Sequence, residues 1–167
     1  MTKMKPLLLL CAFFSTVACL GAAQATVRVE PANLRGPRVL EEQTSAAAIR
    51  DYLQSWQSLS AALDQNRADL LDADFVGTAK DKLTDTIREQ TSYGIRTRYV
   101  DIAHDLQIVF YSPEGLSIEL IDKVKYDMEL LHKNRLTTKQ QMTARYIVVL
   151  TPTEVRWRVR VFQAVAE

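Results

Sequence analysis

Asp122 is the residue best placed for chemistry, because it interrupts the apolar face of a strand. Between Leu116 and Leu131 every second residue, counted from Leu116, is apolar except Asp122, and the phase is the same on both sides of it. A period of two predicts a long, curved β-strand with Asp122 pointing inward. An inward carboxylate among apolar side chains could act as a general base, or it could belong to a hydrogen-bonded structural network.

His104 is the second candidate, since it lies on an apolar face between Ile102 and Leu106. Paired with Asp122, it could form an acid–base site. The alternative is a hydrogen-bonded, partly buried histidine. His132 is placed in a turn, and two separated histidines do not have the spacing of a metal site.

Several aromatic side chains are predicted to point inward with Asp122. They could line a pocket for a flat or apolar ligand, or simply fill the core. This predicted ligand-binding set is Tyr52, Trp56, Asp122, Tyr126, Tyr146 and Trp157. The sequence has no glycine-rich phosphate loop, nucleophile motif or cofactor fingerprint, so we expect no cofactor.

The first 25 residues have the pattern of a signal peptide. Lys3 and Lys5 precede an apolar run, and the run is followed by a small-x-small cleavage site that ends at Ala25. A lipoprotein signal acylated at Cys19 is the alternative, and only then would the protein be attached to a membrane. Both cysteines, Cys11 and Cys19, lie in this segment. We expect an extracytoplasmic protein, in the bacterial periplasm, without disulfides.

Cleavage changes the formal charge from +1 to −1, because it removes Lys3 and Lys5. A near-neutral surface argues against nucleic acid as a partner. Residues 26–43, with Pro31 and Gly36 among charges, are predicted to be a linker or flexible arm, and residues 44–167 to be one domain.

Helices are predicted before strands along this domain. Apolar spacings of three and four predict helices over 44–63, 64–73 and 78–92. From Ile95 the period changes to two, and turns separate strands that should form an antiparallel meander. The first strand is predicted to turn Val100, Ile102, His104, Leu106, Ile108 and Phe110 inward. The last is predicted to turn Val155, Trp157, Val159 and Val161 inward and Phe162 outward.

This order of helices followed by long hairpins resembles the nuclear transport factor 2-like superfamily, the cone fold of SnoaL-like and ketosteroid-isomerase-like proteins. The resemblance covers the helical stretch from Ala48 to Gln90 and the strands from Tyr99 to Val165. It implies an α+β fold in which N-terminal helices pack on a strongly curved antiparallel sheet. The superfamily includes isomerases, dehydratases and binding domains, so the resemblance implies a pocket without naming a reaction.

The outer face of the sheet carries charges and a few apolar residues. Arg156, Arg158 and Arg160 form a basic stripe that we interpret as solvated and ion-paired across strands. Ile121, Ile147 and Val149 add an apolar patch, which favours a homodimer through this face.

The sequence thus predicts a secreted or periplasmic, non-catalytic domain that holds a small apolar ligand or a protein partner in a cone-shaped pocket. One alternative is a cofactor-independent isomerase or dehydratase that uses Asp122 with His104 or Tyr126. A subunit of an envelope assembly, joined through the outer sheet face, is the other.

Overall fold

The computed structural model describes residues 25–165, and of Asp101 only the backbone. The predicted signal peptide and the alternative acylation site at Cys19 lie outside these residues, apart from Ala25. The elements in chain order are β1 (Thr26–Val29), α1 (Glu42–Gln65), a 3₁₀ turn (Ala68–Leu71), α2 (Gly77–Ser92), β2 (Ile95–Tyr111), β3 (Ile118–His132), β4 (Arg135–Pro152) and β5 (Trp157–Val165).

The strands form one sheet in the order β1-β2-β3-β4-β5. Strands β2 to β5 pair antiparallel with their chain neighbours, so the predicted meander is confirmed. The α+β class, with helices on a curved sheet, is also confirmed. The short strand β1 was not predicted, and it pairs parallel to β2. Beyond β1 the chain continues along β2, where the amide of Asn33 donates to Ile108 and that of Arg35 to Val109.

The predicted helices appear at nearly the predicted positions. The first and third correspond to α1 and α2, while the second is reduced to the 3₁₀ turn. Gly94 follows α2 with φ +66°, a conformation that glycine adopts without strain. No helix among residues 25–165 is both long enough and apolar enough to cross a bilayer.

Two bulges change which residues of β2 face the helices. The pairing with β3 shifts between Val100 and Ala103 and again between Ile108 and Phe110. Each shift inserts a residue and reverses the faces beyond it. His104 and Leu106 point inward as predicted, but the inward assignment of Val100 and Phe110 is wrong. In their place Tyr99 pairs with Met128, and Tyr111 with Ile118, on the inner face.

A similar bulge reverses the end of β5. Val159 pairs with Leu150, whereas Val161 pairs with Val149, so Arg160 is the extra residue. Val161 therefore shares the outer face with Val149. Phe162 points inward, where its ring lies 4.4 Å from that of Tyr146. The predictions for Val161 and Phe162 are wrong for this reason.

Val155 does not belong to the strand. It lies in the turn before β5 and is largely exposed, so its predicted inward position is also wrong.

The arginines before the bulge do not form the predicted solvated stripe. Arg156 pairs with the buried carboxylate of Asp74 at 2.8 Å. Arg158 donates to the carbonyls of Asp72 and Phe75. These contacts hold the loop between the 3₁₀ turn and α2 against β5. Phe75 forms an isolated bridge with Val159 beside them.

The core lies between the two helices and the concave face of the sheet. Helix α1 contributes one face of buried residues, in steps of three and four, that pack on the inward side chains of β2, β3 and β4. Its contributors to the core are Ala48, Tyr52, Trp56, Leu59, Ala62 and Leu63, and α2 adds Ala79 and Ile87.

The bulge in β5 predicts different costs for two adjacent substitutions. Phe162→Ala removes ring contacts inside the sheet and should lower the free energy of unfolding by about 2 kcal/mol, less than for a fully buried phenylalanine. Val161→Ala, on the outer face, should cost less than about 1 kcal/mol. Urea denaturation of both variants measures the difference, and a larger cost for Val161→Ala would contradict the inward position of Phe162.

Candidate functional site

Asp122 lies at the centre of the concave face. It occupies β3 opposite Leu106 on β2 and Tyr146 on β4, and its exposed fraction is 0%. No bulge interrupts β3 between Ile118 and Leu130, so the alternation in the sequence carries Asp122 inward as predicted. A fully buried carboxylate is costly unless donors surround it.

Helix α1 supplies one of these donors. The Tyr52 hydroxyl donates to Oδ2 of Asp122 at 2.7 Å, and Nε1 of Trp56 donates to the Tyr52 oxygen at 2.8 Å. Tyr52 and Trp56 are four residues apart, so they lie on one helix face. Burial, and next the charge of Asp122, raise the pKa of Tyr52 well above its ordinary value. The hydroxyl therefore remains a donor at neutral pH.

Strand β2 supplies the other donor. Nδ1 of His104 lies 2.8 Å from Oδ2 of Asp122, and both side chains are buried. Since a carboxylate has no proton to give, Nδ1–H of His104 is the donor. Oδ1 of Asp122 has no hydrogen-bond partner among the described residues. The structure thus brings together the Asp122–His104 pair that the sequence offered as one interpretation.

The Trp56 indole packs over this network. Its ring lies 5.1 Å from His104, 5.7 Å from Tyr146 and 5.6 Å from Phe162. Tyr99 and Tyr126 complete the surrounding shell, each 6.1 Å from the indole. Trp56 therefore occupies the centre of the cone, where a ligand would have to lie.

Three tyrosine hydroxyls meet beside the indole. Burial and the neighbouring Tyr126 hydroxyl raise the pKa values of Tyr99 and Tyr146 well above their ordinary range. Asp122 adds a smaller contribution at Tyr146. The Tyr99 and Tyr146 hydroxyls therefore remain protonated and can donate hydrogen bonds at neutral pH.

The arrangement has the components of an acid–base pair without access to solvent. Asp122 and His104 are close enough to exchange a proton, and no group of metal-binding side chains occurs among residues 25–165. Neither Asp122 nor Tyr52 has measurable exposed surface. A substrate could reach the pair only if Trp56 moved.

The predicted ligand residues do not all lie in this cluster. Tyr52, Trp56, Asp122, Tyr126 and Tyr146 belong to it, whereas Trp157 lies apart at the start of β5, where its amide donates to Asp51. Phe162 and Tyr99 belong to the cluster but were missed. Bulges place both of them inward, and the sequence carries no direct signal for those bulges.

A cleft lies at the margin of the cone, between β1 and the outer side of α1. Its volume is about 630 Å³, and its lining includes Val29, Ala46, Ile49, Leu53, Gln54 and Gln57. Val27 and Val29 pair with His104 and Leu106, so both point to the helix side of the sheet. They nevertheless remain 39% and 50% exposed, because α1 does not cover this edge.

The outer face of the sheet carries an apolar band across three strands. Ile121 pairs with Ile147, and Val149 pairs with Val161 one row further along. On β3, Glu119 and Lys123 flank Ile121 on its two sides. A smaller hollow of about 110 Å³ lies beside this band and is lined by Asp105, Lys123 and Arg145 among others.

No family model and no curated protein matches the sequence. Among solved structures, the intermembrane space region of the chloroplast protein ARC6 is similar, with a TM-score of 0.55 and 15% identity over 78% of this chain and 100% of that one. At this identity the likeness shows the fold alone.

Two further structures have TM-scores of 0.47. A scytalone dehydratase-like protein of Novosphingobium aromaticivorans shares 13% identity, with coverage of 75% of this chain and 89% of that one. A type 2 hexachlorocyclohexane dehydrochlorinase, LinA, shares 14% over 74% of this chain and 90% of that one. With two helices on the concave side of a curled, mainly antiparallel sheet, the described residues have an α+β cone fold.

Proposed function

We propose that this chain is a non-catalytic interaction domain of the bacterial cell envelope, exported by its N-terminal segment and paired with a second copy through the outer sheet face. The observation that carries the proposal is the complete burial of Asp122 and Tyr52 beneath Trp56. Groups that would perform chemistry in an open cone serve here to hold α1 on the sheet. Binding is therefore assigned to the surface.

The outer face supports pairing with a second copy through its charges as well as its apolar band. Consider a two-fold axis that crosses the strands at Ile121. It places Lys123 of one copy opposite Glu119 of the other, and the converse pair forms at the same time. Lys123 has no ion-pair partner among the described residues, while Glu119 lies 3.6 Å from the largely exposed Arg35. The apolar band lies between the two ion pairs.

A cofactor-independent isomerase or dehydratase is the second candidate. The Asp122–His104 pair and the unpartnered Oδ1 of Asp122 favour it, since both are arrangements that general acid–base catalysis can use. This function requires an open state in which Trp56 leaves the centre of the cone. The two candidates therefore differ in the mobility of Trp56 and in the role of Asp122.

The accessibility of Trp56 tests whether the cone opens. In a Trp157→Phe variant, Trp56 is the single tryptophan. Because its indole is enclosed by aromatic rings, we expect blue-shifted emission and little quenching by acrylamide. The half-buried Trp157 provides the comparison, measured in a Trp56→Phe variant. Quenching of Trp56 that equals or exceeds that of Trp157 would favour the enzyme.

Removal of Asp122 separates a structural acid from a catalytic one. Asp122→Ala leaves the Tyr52 hydroxyl and the His104 N–H without an acceptor, so we expect unfolding to become easier by about 3 kcal/mol. Asp85→Ala, at an exposed position on α2, is the matched control and should change stability little. Catalytic acids often reduce stability, so an unchanged or higher melting temperature for Asp122→Ala would argue for catalysis.

Charge exchange tests the proposed dimer. Lys123→Glu should weaken self-association because it places two acids opposite each other, and the double variant Glu119→Lys/Lys123→Glu should restore it. Ile121→Asp should give a monomer, whereas Leu136→Asp, which alters an exposed residue at the tip of the β3–β4 hairpin, should not. Light scattering coupled to size exclusion measures each mass. An unaltered protein that stays monomeric at high concentration would refute the dimer.

A further inference from the structure

The free edge of β1 adjoins the cleft beside α1, and the two features fit one kind of occupant. In the described part of the chain, strand β1 is the first strand of the sheet and has a single neighbour, β2. All four of its residues are exposed. The amide of Glu30 donates to Leu106 on β2. Amides alternate in direction along a strand, so those of Val27 and Val29 point to the free edge.

The side chains of β1 add an apolar floor to this edge. Val27 and Val29 project toward the helix side, and across the cleft Ile49 and Leu53 project from α1 without being fully covered. These two helix residues belong to the apolar stripe of α1, but the sheet covers only part of that stripe. An exposed apolar patch joined to an unpaired strand edge is a typical site of strand addition.

We propose that an extended segment of a partner protein adds to the sheet beside β1, parallel or antiparallel to it, with an apolar side chain at every second position. The segment's main chain would pair with the amides of Val27 and Val29. Its alternate side chains would enter the cleft over Ile49 and Leu53. A small apolar molecule would fill the cleft but would leave those amides unpaired.

The position of the N-terminus supports an occupant from outside the chain. The structure describes the chain from Ala25, directly before β1, and 24 residues precede it in the sequence. Cleavage after Ala25, as the sequence predicts, would remove these residues, and no strand among residues 26–165 covers the edge of β1. This surface is separate from the proposed dimer face. A negative result for strand addition therefore leaves the dimer proposal intact, and a monomeric protein leaves the strand-addition proposal intact.

The test uses the protein exported with its own N-terminal segment and a short labelled peptide in which valine alternates with threonine between terminal lysines. We expect saturable binding by fluorescence anisotropy, together with at least about tenfold slower hydrogen exchange at the amides of Val27 and Val29. Val29→Asp should weaken binding at least about tenfold. Val155→Asp, at an exposed position in the turn before β5, is the matched control and should leave it unchanged.

Three results would overturn the proposal. The first is that the peptide does not bind saturably, or that Val29→Asp does not weaken its binding. The second is equal binding of the same peptide with methylated backbone nitrogens. Displacement of the peptide by dodecanoate, with the Val27 and Val29 amides exchanging as fast as in the free protein, counts in the same way. Either result would assign the cleft to an apolar molecule. The third is protection of the Val27 and Val29 amides before peptide is added, which would show that the chain covers its own edge.

Discussion

The buried carboxylate of Asp122 is the constraint on which the rest of the domain depends. A charge with no exposed surface must be surrounded by donors, and the two that reach it come from different layers. Tyr52 approaches from α1 and His104 from β2, so one oxygen atom fixes the distance and the rotation of the helix relative to the sheet. A rotation of α1 by one residue would withdraw the Tyr52 hydroxyl and leave the charge uncompensated.

This rotation also determines what fills the cone. Trp56 lies one turn after Tyr52 on the same face, and its indole is tied to the Tyr52 oxygen. The same geometry that satisfies Asp122 therefore places the largest side chain of α1 at the centre of the concave face. The sheet extends beyond this helix on the β1 side, and the uncovered margin becomes the cleft. The position of α1 on the sheet thus explains both the filled centre of the cone and the open cleft at its margin.

The sequence predicts this fold well wherever a strand runs without a bulge. Strand β3 keeps one phase from Ile118 to Leu130, and its inward set, including Asp122, could be predicted from alternation. Strands β2 and β5 carry apolar residues on both faces near their bulges, as at Tyr99 with Val100 and at Val161 with Phe162. A shift of one residue therefore leaves no trace in the hydrophobic pattern.

The contacts of the site were less predictable than its strands. His104 and Asp122 could be proposed as partners because the alternation of side chains along β2 and β3 points both residues inward. The role of Tyr52 depends on how α1 is rotated about its axis, and the apolar stripe in the sequence does not specify that rotation. The pairing of Arg156 with Asp74 joins residues far apart in the chain, and only the tertiary fold brings them together.

The unpartnered oxygen of Asp122 is the feature that fits a purely structural network least. A carboxylate that stabilises a core would normally have both oxygens satisfied, since each unpaired acceptor costs free energy. Tyr146 lies directly opposite Asp122 on β4, close enough for the charge to raise the pKa of its hydroxyl. Tyr146 thus places an uncharged hydroxyl donor in the aromatic shell next to Asp122. Under the proposed function, this shell rather than a substrate supplies the donor for Asp122, and binding belongs to the edges and the outer face of the domain.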